Sequence, residues 1–106
     1  MSVELISIGS DVLVRLDKLK NASTDSYLNA ATVTFNLKDS SGTVIQGPTT
    51  MGYVAASNGR YEGVITSANT GALSQNSLYY VEITATSGGY TLFRKLSCVA
   101  RYRSIQ

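Results

Sequence analysis

Two stretches of this chain alternate apolar and polar residues without a break, and a strict two-residue period suits a pleated strand and little else. Residues 32–38 place Val33, Phe35 and Leu37 on one face and Thr34, Asn36 and Lys38 on the other. Residues 78–86 do the same, with Tyr79, Val81, Ile83 and Ala85 against Tyr80, Glu82 and Thr84. Helical periodicity is missing: in any window of about eleven residues, apolar positions at i, i+3, i+4 and i+7 are interrupted by Gly or β-branched residues. The chain is therefore expected to be all-β.

The remaining segments fit that reading. Residues 3–8 form a short apolar run closed by Gly9 and Ser10, and residues 11–19 follow with Val12, Val14 and Leu16 on one face and Arg15 and Asp17 on the other. Residues 20–26 are rich in Ser, Thr, Asn and Asp, whose side chains bond to nearby backbone and favour loops. Tyr27 and Leu28 are expected to return the chain to the core. A turn at residues 39–42, with Gly42 free to take positive φ, leads into residues 43–46 as the return strand of a hairpin. Pro48 has no N–H to give to a central ladder and marks a loop or a strand edge.

Asn58-Gly59, between β-prone residues 50–55 and 60–66, is a strong hairpin signal. Residues 67–77 are polar with Leu73 as their one large apolar anchor, and residues 87–89 turn the chain into a last strand over 90–99. About eight short strands with turn signals roughly every ten residues read as a sandwich or small barrel. At 106 residues the chain has material for one core, so residues 1–106 are one domain. Val33, Phe35, Leu37, Tyr61, Ile65, Val81 and Ile83 are its expected centre.

Catalytic chemistry is poorly provided for. The chain has no histidine, which removes the commonest general base, the commonest metal ligand and every Ser-His or Cys-His nucleophile pair. Its single cysteine, Cys98, excludes an intramolecular disulfide and lies in an apolar run, where a buried reduced thiol is expected. The seven acidic residues are spread one to a strand or turn, with no calcium-loop spacing. Asn21, Asp25 and Asn29 come nearest to a cation loop and are read as residues that shape the loop. No G-x-S-x-G elbow or glycine-rich phosphate loop occurs. Catalytic, cofactor-binding and metal sites are accordingly not expected, and the chain is read as a non-enzyme.

Nine basic residues against seven acidic give a net charge of +2, and the basic ones are scattered from Arg15 to Arg103, so no nucleic-acid stripe is expected. The first residues lack the basic start and apolar length of a signal peptide or membrane anchor, which points to folding in a reducing cytoplasm and no membrane partner. Charged residues are only 15% of the chain, a surface better suited to packing against protein neighbours than to long-range steering. Tyr27, Tyr53, Tyr61, Tyr79 and Tyr90 fall at strand starts or inward phases and read as core. Tyr80 has the opposite phase to Tyr79. Tyr102 follows the last expected strand between Arg101 and Arg103, with Ile105 beyond. Tyr80, Arg101, Tyr102, Arg103 and Ile105 are the candidate interface residues, because Tyr and Arg are enriched at protein contacts.

Residues 11–19, 27–34, 39–43, 59–63 and 80–85 together resemble the pattern of small immunoglobulin-like proteins in bacteriophage and prophage structural gene clusters. Gly59, Tyr61 and Gly63 match the Gly-x-Tyr-x-Gly entry to a core strand in such families. The resemblance implies a single immunoglobulin-like β-sandwich of about seven to eight antiparallel strands. It also implies a place in the virion, where domains of this sort decorate heads, tail tubes, baseplates and fibres. A chain with no second domain looks most like a head decoration or cement protein on the outside of the capsid. The implied partners are the major capsid protein or tail subunits, with further copies of the chain in the same assembly. A tail, baseplate or head-tail component and a carbohydrate-binding or adhesin module are the alternatives; the absence of tryptophan counts against sugar binding.

Overall fold

The computed structural model describes residues 4–21 and 24–102. Seven strands and one helical turn follow in order: β1 (Glu4–Ser7), β2 (Val12–Leu16), β3 (Thr32–Asp39), β4 (Val44–Tyr53), β5 (Tyr61–Ile65), α1 (Ser67–Thr70), β6 (Leu78–Ser87) and β7 (Tyr90–Arg101). Hydrogen bonding orders them β1-β7-β6-β3-β4-β5-β2. The chain is an all-β sandwich. Its larger layer is β1, β7, β6, β3 and the first part of β4; the smaller is β2, β5 and the end of β4, where Gly52 and Tyr53 pair with Glu62 and Tyr61.

In a seven-stranded immunoglobulin-like sandwich the first, second, fifth and fourth strands form one sheet and the third, sixth and seventh the other. Here β2, β5 and β4 keep the first set of places and β3, β6 and β7 the second. The exception is β1, which pairs with β7 and runs parallel to it, from Glu4 opposite Cys98 to Ser7 opposite Arg101. An all-antiparallel arrangement is thus corrected at this one pair. The same pairing carries β7 to Arg101, two residues past the expected end of the strand, and buries Ala100 opposite Ile6.

The strict alternation of β3 and β6 reports a strand paired on both sides with one face on the core. Val33, Phe35 and Leu37 are fully buried, and Tyr79, Val81, Ile83 and Ala85 lie under the same layer. The smaller sheet completes the core with Val14, Leu16, Tyr61 and Ile65.

The Gly-x-Tyr-x-Gly segment has a packing reason at each position. Gly59 takes φ +84, and a Cβ there would lie 2.6 Å from the Leu19 backbone nitrogen, whose N–H bonds to the Gly59 carbonyl. The Tyr61 hydroxyl, buried beneath the loop before β3, donates to the Leu28 carbonyl at 2.6 Å and accepts from the Ala31 N–H at 3.0 Å. At Gly63 a Cβ would meet the Phe35 ring at 2.9 Å and Met51 Cγ at 3.1 Å, so the missing side chain is what lets Phe35 pack close against β5.

Pro48 sits inside β4, at a register shift where two residues of β4, Gly47 and Pro48, stand against one of β3, Asn36. A bulge is where a strand tolerates proline. It also turns Gln46 inward, where its amide is fully used: Nε2 donates to Thr49 Oγ1 and the Val64 carbonyl, and Oε1 accepts from the Thr66 N–H and Asn69 Nδ2. α1 is held in place from a distance. Asp11 Oδ1 accepts the Ser67 N–H at 2.7 Å, and the buried Thr70 hydroxyl donates to the Ser10 carbonyl at 2.7 Å.

Two tyrosines depart from the core reading. Tyr27 is 39% exposed because its bridge to Lys20 lays the ring under the Lys20 ammonium, 4.8 Å away, outside the core. Tyr53 is 37% exposed at the rim and packs against the Tyr61 ring, 5.5 Å between centroids. Leu28 packs against the core as expected, Tyr90 is half-buried and Cys98 is a buried reduced thiol.

Candidate docking face on the larger sheet

Residues directly opposite each other in a ladder project to the same side of the sheet. Register therefore fixes what lies on the outer face of the larger layer. One row crosses three strands as Leu5 on β1, Val99 on β7 and Leu78 on β6. The next runs from Ser97 on β7 to Tyr80 on β6 and Lys38 on β3, with Val44 on β4 beyond. On the other side of the first row stand Arg101 and Ser7. Leu5 is 65% exposed and Leu78 37%, although both lie on strands whose opposite face is core.

The sequence candidates Tyr80 and Arg101 are thus brought onto one face, separated by the Leu5–Val99–Leu78 row. Tyr80 is half-buried, with the Lys95 ammonium 4.3 Å from its ring centroid. Beside it Lys38 bonds Glu82 at 2.8 Å, which neutralises two charges next to the apolar row. Tyr102 follows β7 directly and is 63% exposed. Arg103 and Ile105 lie outside the described residues. Leu5, Leu78 and Phe93, the last 58% exposed opposite Thr84, were not singled out from sequence. Buried Ile6 and Tyr79 beside Leu5 and Leu78, and the register that sets Phe93 opposite Thr84, reveal which way they face.

The outer face of the smaller sheet combines ion pairs with an apolar pair of its own, Leu13 opposite Val64, 51% and 42% exposed. There Arg15 binds Glu62 through both Nε and Nη2 at 2.8 Å, and Arg60 Nε meets Asp17 at 2.6 Å, directly across the β2–β5 ladder or beside it.

The β3–β4 turn is organised around a carboxylate. Asp39 Oδ1 accepts the Ser41 hydroxyl at 2.6 Å and the Thr43 and Ser41 N–H groups at 2.9 Å, and these bonds, the Ser41 hydroxyl foremost, hold its carboxyl below the usual carboxylate range.

The side chains of Asn21, Asp25 and Asn29 serve the loops: Asn21 Oδ1 accepts the Thr24 N–H, Asp25 faces Lys20 at 3.5 Å, and Asn29 Oδ1 accepts the Gly59 N–H at 2.8 Å. Among the described residues no cluster of three or more Cys, Asp or Glu side chains stands close enough to hold a metal ion, and no helix is long and apolar enough to cross a membrane. Comparison with family models, with curated proteins and with solved structures found no match.

Proposed function

We propose that this chain is a non-enzymatic structural protein of a bacteriophage particle, seated on the outside of the head as a decoration or cement subunit bound to the major capsid protein. The observation that carries the docking role is the row of exposed Leu5, half-buried Val99 and exposed Leu78, with Tyr80 and Arg101 at its sides. Large apolar and aromatic residues on the solvent face of a sheet do nothing for its core, and such a patch with a polar rim is the composition of a protein contact. The paired charge Lys38–Glu82 beside it lowers the desolvation cost of covering the face.

The particle itself is supported by the resemblance to small immunoglobulin-like phage proteins, and the weakly charged surface suits permanent protein neighbours. Copy number in purified particles, from the strain that carries the gene, tests the assignment. Head decoration requires a count in proportion to the major capsid protein. A count of a few copies per particle would move the chain to the tail or baseplate, and its absence from particles would end the reading.

A further inference from the structure

The ring of hydrogen-bonded strands is open at one place. Every other strand is flanked on both sides, whereas among the described residues β1 pairs only with β7 and β2 only with β5. The chain passes from one free edge to the other through the turn at Gly9 and Ser10, where Ser10 N–H meets the Ser7 carbonyl at 3.3 Å. Between the two edges lies a groove of about 250 Å³. Leu5 and Leu13 form its rims, 65% and 51% exposed, and Val14, Ile65, Leu96 and Cys98 line it further in.

We infer that this seam is a strand-acceptor site, which takes an extended segment of a neighbouring polypeptide carrying apolar side chains at alternate positions. Two features select that ligand. The free edges of β1 and β2 offer backbone N–H and C=O groups, which an extended peptide satisfies along its length and a sugar or a lipid surface does not. The apolar lining then reads every second side chain. A groove of about 250 Å³ also falls below the ~300–1,000 Å³ typical of small-molecule sites.

The topology says why the site is there. In a seven-stranded immunoglobulin-like sandwich the first strand flanks the second, but here β1 has gone to β7 and the outer edge of β2 is left for another strand. The donated strand would extend the smaller sheet alongside the five residues of β2. The groove shares Leu5 with the outer-face row, but Leu78 and Tyr80 do not line it, and it does not depend on the chain belonging to a phage particle.

The test titrates the isotopically labelled chain with a soluble seven-residue peptide that alternates valine and threonine between lysine ends, followed by amide shifts and amide exchange. The expected result is saturable binding that slows exchange in β1 and β2. Binding should weaken about tenfold or more when proline replaces the central residue of the peptide, or when the chain carries Leu13→Lys. Leu13 is 51% exposed, and an unchanged melting temperature would confirm that the variant is folded. Three outcomes overturn the inference: no protection with millimolar peptide, protection centred on Leu78, Tyr80 and Val99 instead, or a dimer of the free chain that Leu13→Lys abolishes, which would give the edge to a second copy.

Discussion

Tyr79 and Tyr80 are neighbours in β6 and meet opposite demands. Tyr79 is 6% exposed, packs in the core and accepts the Ser74 N–H on its hydroxyl at 2.7 Å. Tyr80 lies on the outer face under the Lys95 ammonium, beside the exposed Leu78. The contrast holds across the larger sheet: the inner face is closed, with no buried side-chain polar atom left without a partner among the described residues, while the outer face leaves apolar residues uncovered. Folding therefore accounts for the inner set. The outer one is what the proposed contact with a protein neighbour would cover.

That division should appear first as a difference in stability. Phe35→Ala empties the centre of the inner face and is expected to cost about 3–5 kcal/mol in urea unfolding. Gly63→Ala drives a methyl into the Phe35 ring and should cost about 1–3 kcal/mol. Combining it with Phe35→Leu should recover part of that loss, a coupling that a double-mutant cycle measures. Tyr61→Phe leaves the Leu28 carbonyl and the Ala31 N–H without their partner and should cost about 1–3 kcal/mol. On the outer face, Leu78→Ser should move the same unfolding curve by no more than about 0.5 kcal/mol. A loss like that of Phe35→Ala would break the contrast.

The smallest effect is set by pH. Hydrogen bonds from Ser41 and Thr43 lower the Asp39 pKa in the folded chain, so its contribution is present above the unfolded carboxyl pKa and is lost as pH falls through the depressed folded value. Asp39→Asn should remove that part of the acid slope and leave stability near neutral pH independent of pH, as unfolding curves across the acid range would record.

What the sequence revealed follows the same division. Val33, Phe35 and Leu37, with Tyr79, Val81, Ile83 and Ala85, were legible because a strand paired on both sides and buried on one face must alternate, and the core enforces it. The β3–β4 and β4–β5 hairpins were legible from glycine at positive φ, at Gly42 and Gly59. Edges were not. Nothing in residues 4–7 distinguishes a strand that pairs with its successor from one that pairs with β7 near the other end of the sequence, since either choice buries Ile6. The bonds that place α1, from Asp11, Thr70 and Gln46, join residues 20 to 60 positions apart and leave no local trace. At the candidate surface, phase alone singled out Tyr80, while Leu5 and Leu78 were hidden because an apolar residue in a strand reads as core until register shows its direction.

The claim that the outer face of the larger sheet is the working surface is tested most directly by particle occupancy of a Leu78→Glu, Tyr80→Ala double variant, quantified against the major capsid protein. Its melting temperature should stay close to that of the unmodified chain, while its occupancy at limiting concentration falls about tenfold or more, the consequence of losing at least ~1.4 kcal/mol of binding. Full occupancy by the folded variant would contradict the account.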